Sequence, residues 1–171
     1  MYGADELRAA LPGTWRVLAT TFPMWLSGRR LAPTFSYTLL PGEPLVLRDE
    51  VRYRTRSGRS RSIVGTDRFD PASGGFVWRG RHLLAALTSR WRVARLSDDG
   101  SVATLTFGRS MLTPAGVDII GRGPGERPEL QASASPESLG LDAAEFAALR
   151  WLPPVDVLEP DERSGQRDRP Q

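Results

Sequence analysis

The chain has 171 residues, 40% hydrophobic and 25% charged, with a formal net charge of +3, which suits one soluble domain with a sizeable core. It contains no cysteine, one histidine (His82), and 23 basic residues that are all arginine. These counts exclude a thiol nucleophile, a disulfide framework, a zinc–thiolate centre, a lysine Schiff base and a multi-histidine metal site, so neither a metal nor a cofactor is expected.

Residues 3–10 read as a short helix or turn that Pro12 and Gly13 redirect into a first strand near Thr14. The apolar run from Val17 to Trp25 is broken by Thr20, Thr21 and Pro23, and Asp5 and Glu6 make the start acidic. Neither a secretory signal nor a membrane span is therefore predicted, and with no cysteine the expected location is the cytoplasm. Phe22-Pro23-Met24-Trp25-Leu26-Ser27-Gly28, interrupted by proline and closed by glycine, reads as a loop able to lid one end of the fold.

From residue 33 short strands alternate with tight turns: 34–40, 45–56, 60–69, 76–79, 89–96, 102–107 and 117–122. The turns fall at Pro41-Gly42, Ser57-Gly58, 70–75 and Asp98-Asp99-Gly100. Turns this short join antiparallel neighbours, and with the strand at Trp15 the count is about eight, the number at which a closed barrel is either filled by side chains or holds one small ligand. A C-terminal helix follows, with Asp142 and Glu145 placed for a capping box and Leu141 and Phe146 for a hydrophobic staple. Phe146, Leu149 and Trp151 would dock on the barrel wall before Pro153-Pro154 stop the helix. The expected organisation is one domain over 1–158 and a disordered polar tail over 159–171.

The strand at 45–56 alternates most clearly. Leu45, Leu47, Asp49, Val51 and Tyr53 share one face, and Arg48, Glu50, Arg52, Arg54 and Arg56 the other. With Arg59 and Arg61, the latter face holds the densest arginine run, read as a solvated wall with no nucleic-acid partner. Asp49 is the anomaly, since a carboxylate among Leu, Val and Tyr is buried only when paired or protonated. It reads either as an acid/base or ligand-contacting group, or as an internal ion pair or rim residue. Asp67 accompanies it if Ile63, Gly65, Asp67 and Phe69 face inward, whereas Val64 and Thr66 are the alternative inner set. Phe35, Tyr37 and Leu39, with Phe76, Trp78, Trp91 and Val93, would give an aromatic lining with polar tips. His82 lies in the connection Arg79-Gly80-Arg81-His82. It reads as a loop histidine, with haem ligand and catalytic base as the alternatives. No Gly-x-Ser-x-Gly motif accompanies it, which argues against a hydrolase.

Gly13-Thr14-Trp15 opening the first strand, the eight-strand meander and the helix after it resemble the lipocalin and wider calycin superfamily over about residues 11–151. The resemblance implies an all-β, up-and-down antiparallel barrel in which the tryptophan closes the floor and an arginine from the last strand, here Arg122, packs across it. Absence of cysteine and of a signal peptide makes the chain look like an intracellular bacterial branch of that group. The resulting expectation is a barrel enclosing a small, largely hydrophobic molecule, contacted by Trp25, Tyr37, Asp67, Trp78, His82 and Trp91. The alternatives are a cofactor-independent cyclase or isomerase in the same cavity, with Asp49 as acid or base and Tyr53 or Tyr37 as hydrogen-bond donor, and a haem-binding barrel.

Overall fold

A computed structural model of the chain describes residues 1–81, 84–110, 114–122 and 127–154. After a short helix α1 (Ala4–Ala10) come β1 (Gly13–Thr20), α2 (Pro23–Leu26), β2 (Arg30–Leu40), β3 (Val46–Thr55), β4 (Ser60–Asp70) and β5 (Gly75–Gly80). Then follow β6 (Thr88–Leu96), β7 (Val102–Phe107), β8 (Gly116–Gly121), α3 (Arg127–Ser133), α4 (Pro136–Leu139), α5 (Ala143–Ala148) and β9 (Arg150–Trp151). Strands β1 to β8 each pair antiparallel with their sequence neighbours, and β1 also pairs with β8, so the sheet closes into an eight-stranded up-and-down barrel. The turn chemistry carries this connectivity. In the β6–β7 hairpin, Gly100 takes φ +69° while Asp99 accepts hydrogen bonds from Ser97 Oγ, Ser101 N and Ser101 Oγ at 2.6–3.0 Å.

Strand β1 serves two partners on one side. Gly13 to Arg16 pair with Tyr37 to Thr34 of β2. A register shift between Val17 and Ala19 then turns the strand, and Ala19 and Thr20 pair with Trp151 and Arg150 of β9. The same shift places Trp15 and Val17 in the interior cluster but Ala19 in an outer one, where it packs with Val102, Val117, Ile119, Leu139, Leu141 and Leu149. That outer cluster is where the C-terminal helices dock. Burying side chains of this size contributes about 1.5–3 kcal/mol each.

One end of the barrel is closed. Leu7 of α1 and Leu11 are buried beneath it, and Trp15, fully buried, donates from Nε1 to the Leu11 carbonyl at 2.8 Å. The Arg122 guanidinium lies 4.0 Å above the Trp15 ring and donates to the carbonyls of Pro12, at 2.8 Å, and Ala10. The arrangement expected for these two residues is the one found.

Several expectations need correcting. The segment 22–28 is not wholly irregular: Pro23 sits in the first turn of α2, where its missing N–H costs nothing. Leu39 does not line the interior but is 42% exposed, because β2 has reached the barrel rim there. The single C-terminal helix is three short helices. The last one has the expected Asp142–Glu145 capping box but ends at Ala148, and Trp151 belongs to β9. The proposed tail and the end of the domain, from residue 155 on, lie outside the described residues.

Candidate functional site

Among the described residues, three inward-facing carboxylates, Asp49, Asp67 and Asp118, are buried in the interior. Register puts Asp49 of β3 opposite Tyr37 of β2 on one side and Gly65 of β4 on the other. One step along, Leu47, Asp67 and Trp78 form a second row. Asp118 of β8 lies opposite Thr20 of β1 and Leu105 of β7. Asp49, Asp67 and Asp118 are all buried, which settles the choice of faces on β4 in favour of Gly65, Asp67 and Phe69.

Each carboxylate faces an indole. Trp91 Nε1 donates to Asp67 Oδ1 at 2.7 Å. The Trp78 indole reaches Asp49 because Gly65 has no side chain: a Cβ there would lie 2.1 Å from Trp78 Nε1. Trp25 of α2 turns its indole toward Asp118, although neither Trp25 Nε1 nor Asp118 Oδ1 completes a hydrogen bond. Around them the rings stack: Phe76 lies 4.4 Å from Trp91 at an 18° tilt, and Tyr37 5.6 Å from Trp91 at 25°.

Burial dominates the electrostatics. It pushes Asp49 up to about 7, against the hydrogen bond from Trp78 and the charge of Arg48 on the outer wall. Asp118 also rises to about 7 through burial, with Thr20 and Trp25 pulling the other way. Asp67 is raised well above the ordinary carboxylate value by burial and then by the Asp49 charge. The Tyr37 phenol is raised by burial and by all three carboxylates, which places it within their common field. Asp49 Oδ1, Asp67 Oδ2 and Asp118 Oδ1 are buried without a hydrogen-bond partner.

Other residues singled out from sequence sit elsewhere. Tyr53 is half-buried four residues along β3 from Asp49, about 13 Å by strand rise. Its ring contacts Trp25 at 6.0 Å and the Arg30 guanidinium at 5.1 Å, so Tyr37, not Tyr53, is the phenol opposite Asp49. His82 lies outside the described residues. The sequence carries a signal for Asp118 as well: Val117-Asp118-Ile119-Ile120 puts it on the face of Ile120, the same anomaly that marks Asp49. The outer wall is separate. There Glu50 is held below its usual range by Arg52 at 2.7 Å and Arg48 at 2.8 Å. A depression of 320 Å³ borders this pair, lined by Glu50, Arg52, Arg54, Ser60, Arg61 and Ser62.

No family model and no curated protein matches the chain in sequence. Solved structures do match in shape. Lobster apocrustacyanin A1 is similar with a TM-score of 0.58 at 12% identity, over 86% of this chain and 79% of that one. Apocrustacyanin C1 is similar with a TM-score of 0.58 at 13% identity, over 88% and 85%. H1 crustacyanin from the lobster Homarus americanus gives 0.54 at 12%, over 88% and 84%. The barrel is lipocalin-like. At such identities the likeness is one of fold, and the chemistry of this lipocalin-like interior has to be read from its own residues. Among the described residues, no helix is long and apolar enough to cross a membrane.

Proposed function

We propose that the barrel encloses a small, largely apolar molecule bearing one or two polar groups, held by Trp25, Tyr37, Asp49, Asp67, Trp78 and Trp91. The observation that carries this reading is the set of buried carboxylate oxygens left without partners inside an aromatic wall. A buried polar atom without a partner costs about 1–3 kcal/mol, which a bound molecule with matching groups offsets. The cysteine-free sequence supports a cytoplasmic setting as part of the same proposal.

Mass spectrometry of the purified protein under native conditions tests the reading by identifying what remains bound. Uptake of the neutral apolar fluorophore N-phenyl-1-naphthylamine tests it independently. A protein that carries nothing and takes up no fluorophore overturns it. Asp49→Asn preserves shape but exchanges an acceptor oxygen for a donor, so calorimetry with the retained molecule should show binding weakened by about 1–3 kcal/mol.

A second reading is cyclisation or isomerisation without a cofactor. It is favoured by Asp49, raised to about 7 and therefore suited to both giving and taking a proton near neutral pH, with the Tyr37 phenol opposite. On that reading Asp49→Asn abolishes turnover while binding survives.

A further inference from the structure

The three interior carboxylates have more hydrogen-bond capacity than the barrel supplies. An ionised carboxylate offers about four acceptor sites and an indole one donor. Among the described residues the ion pairs are Arg8–Glu43, Arg48–Glu50, Arg52–Glu50 and Arg90–Asp70, none of which touches Asp49, Asp67 or Asp118. Each of the three therefore keeps one buried oxygen without a partner. Among the described residues, no positively charged group with N–H donors pairs with these carboxylates. The apolar body of a molecule bearing such a group has an aromatic wall to lie against, since Trp25, Tyr37 and Trp91 belong to the interior cluster and Trp78 packs on it. A bare metal ion is the poorer match, because no three acidic or histidine side chains among the described residues converge as a metal-binding group.

We propose that the molecule this barrel takes up carries a protonated amine on an apolar body, with its N–H groups directed at the unpartnered oxygens of Asp49 and Asp67, neighbours across β3 and β4. This rests on the reading of the barrel as a ligand-enclosing one, and adds the charge of the ligand to it. The groups that set the local charge are Tyr37, Asp49, Asp67 and Asp118 inside, with Arg48 and Glu50 of the outer wall acting on Asp49. Without ligand the buried carboxyls are largely neutral below about pH 7. The arriving ammonium keeps its proton, the carboxyl gives its own to solvent, and an ammonium–carboxylate pair replaces the acid. Binding near pH 6 is thereby coupled to proton release.

Calorimetry with three probes of equal chain length, octylamine, octanol and octanoate, tests the proposal. Octylamine should bind at least about tenfold more tightly than octanol, the gain expected of a charge-assisted hydrogen bond, and octanoate more weakly than either. At pH 6 the octylamine heat should vary with the ionisation enthalpy of the buffer, and the octanol heat should not. Asp49→Asn and Asp67→Asn should each reduce the preference for octylamine over octanol, and a cooperative urea transition with native-like circular dichroism shows independently that the variants fold. Octanol or octanoate binding as tightly as octylamine overturns the amine proposal and leaves the enclosed-ligand reading standing. If octylamine gives no binding, the amine proposal falls, and uptake of N-phenyl-1-naphthylamine then decides whether the enclosed-ligand reading falls with it.

Discussion

Gly65 governs where the Trp78 indole sits, and through it the surroundings of Asp49. Its backbone runs between Asp49 and Gly80 in neighbouring strands, and the space its missing side chain leaves is filled by Trp78. Gly65→Ala should therefore overpack the interior and cost about 1–3 kcal/mol, read as a lower urea midpoint at unchanged m-value. The indole must also move off Asp49, so the tryptophan emission of the folded variant should shift. An unchanged midpoint and spectrum would mean that Trp78 has another place to go. The position illustrates how partly the site was legible. A glycine in an alternating strand was visible as spare room, but which ring would occupy it was not, because that depends on the pairing of Asp67 with Trp78 across β4 and β5. Asp49 and Asp67 announced themselves by breaking apolar alternation. Tyr37 as the phenol opposite Asp49 did not, since cross-strand register is set by the β2–β3 turn and not by either strand alone.

At the scale of elements, the barrel strands were legible because alternation and turn chemistry agree along β2 to β8. The parts missed were those that tertiary contacts decide. β9 is two residues long and exists because β1, bent at its register shift, leaves an edge free for it. α2 was hidden because Pro23 reads as a breaker when its position in the helix is unknown. The closed end is where helix α1, strand β1 and the end of β8 are tied together, and Arg122 is the tie: it covers Trp15 and satisfies the carbonyls of Ala10 and Pro12. Arg122→Ala removes a cation–π contact and leaves two partly buried carbonyls to water. The expected loss is about 2–4 kcal/mol by urea denaturation, accompanied by faster proteolysis within residues 1–12. Arg122→Lys should recover only part of it, because an ammonium cannot stack flat on the ring while reaching both carbonyls.

For the whole molecule, the three buried carboxyls make stability a function of pH. Asp118 gives the clearest case. Its ordinary unfolded value is about 3.9, and burial raises it to about 7 in the folded barrel. With the folded value above the unfolded one, the folded state binds the proton more tightly, so the stabilisation from Asp118 is full below about pH 4 and is lost as pH rises to about 7. At roughly 1.36 kcal/mol per pKa unit, the span for this one group is roughly 4 kcal/mol. Asp49 and Asp67 act in the same direction, while Asp70 and Asp99, held below their usual values by Ser73 and Ser97, act in the opposite one at lower pH. The ligand-free protein should therefore lose stability between about pH 4 and 7, with the Asp118→Asn variant losing less over the same window. Urea midpoints of both proteins at pH 5 and pH 8 measure the difference. Relative to the native chain, Asp118→Asn should gain stability on passing to pH 8. Equal changes in the two proteins would place Asp118 in contact with water in the folded barrel.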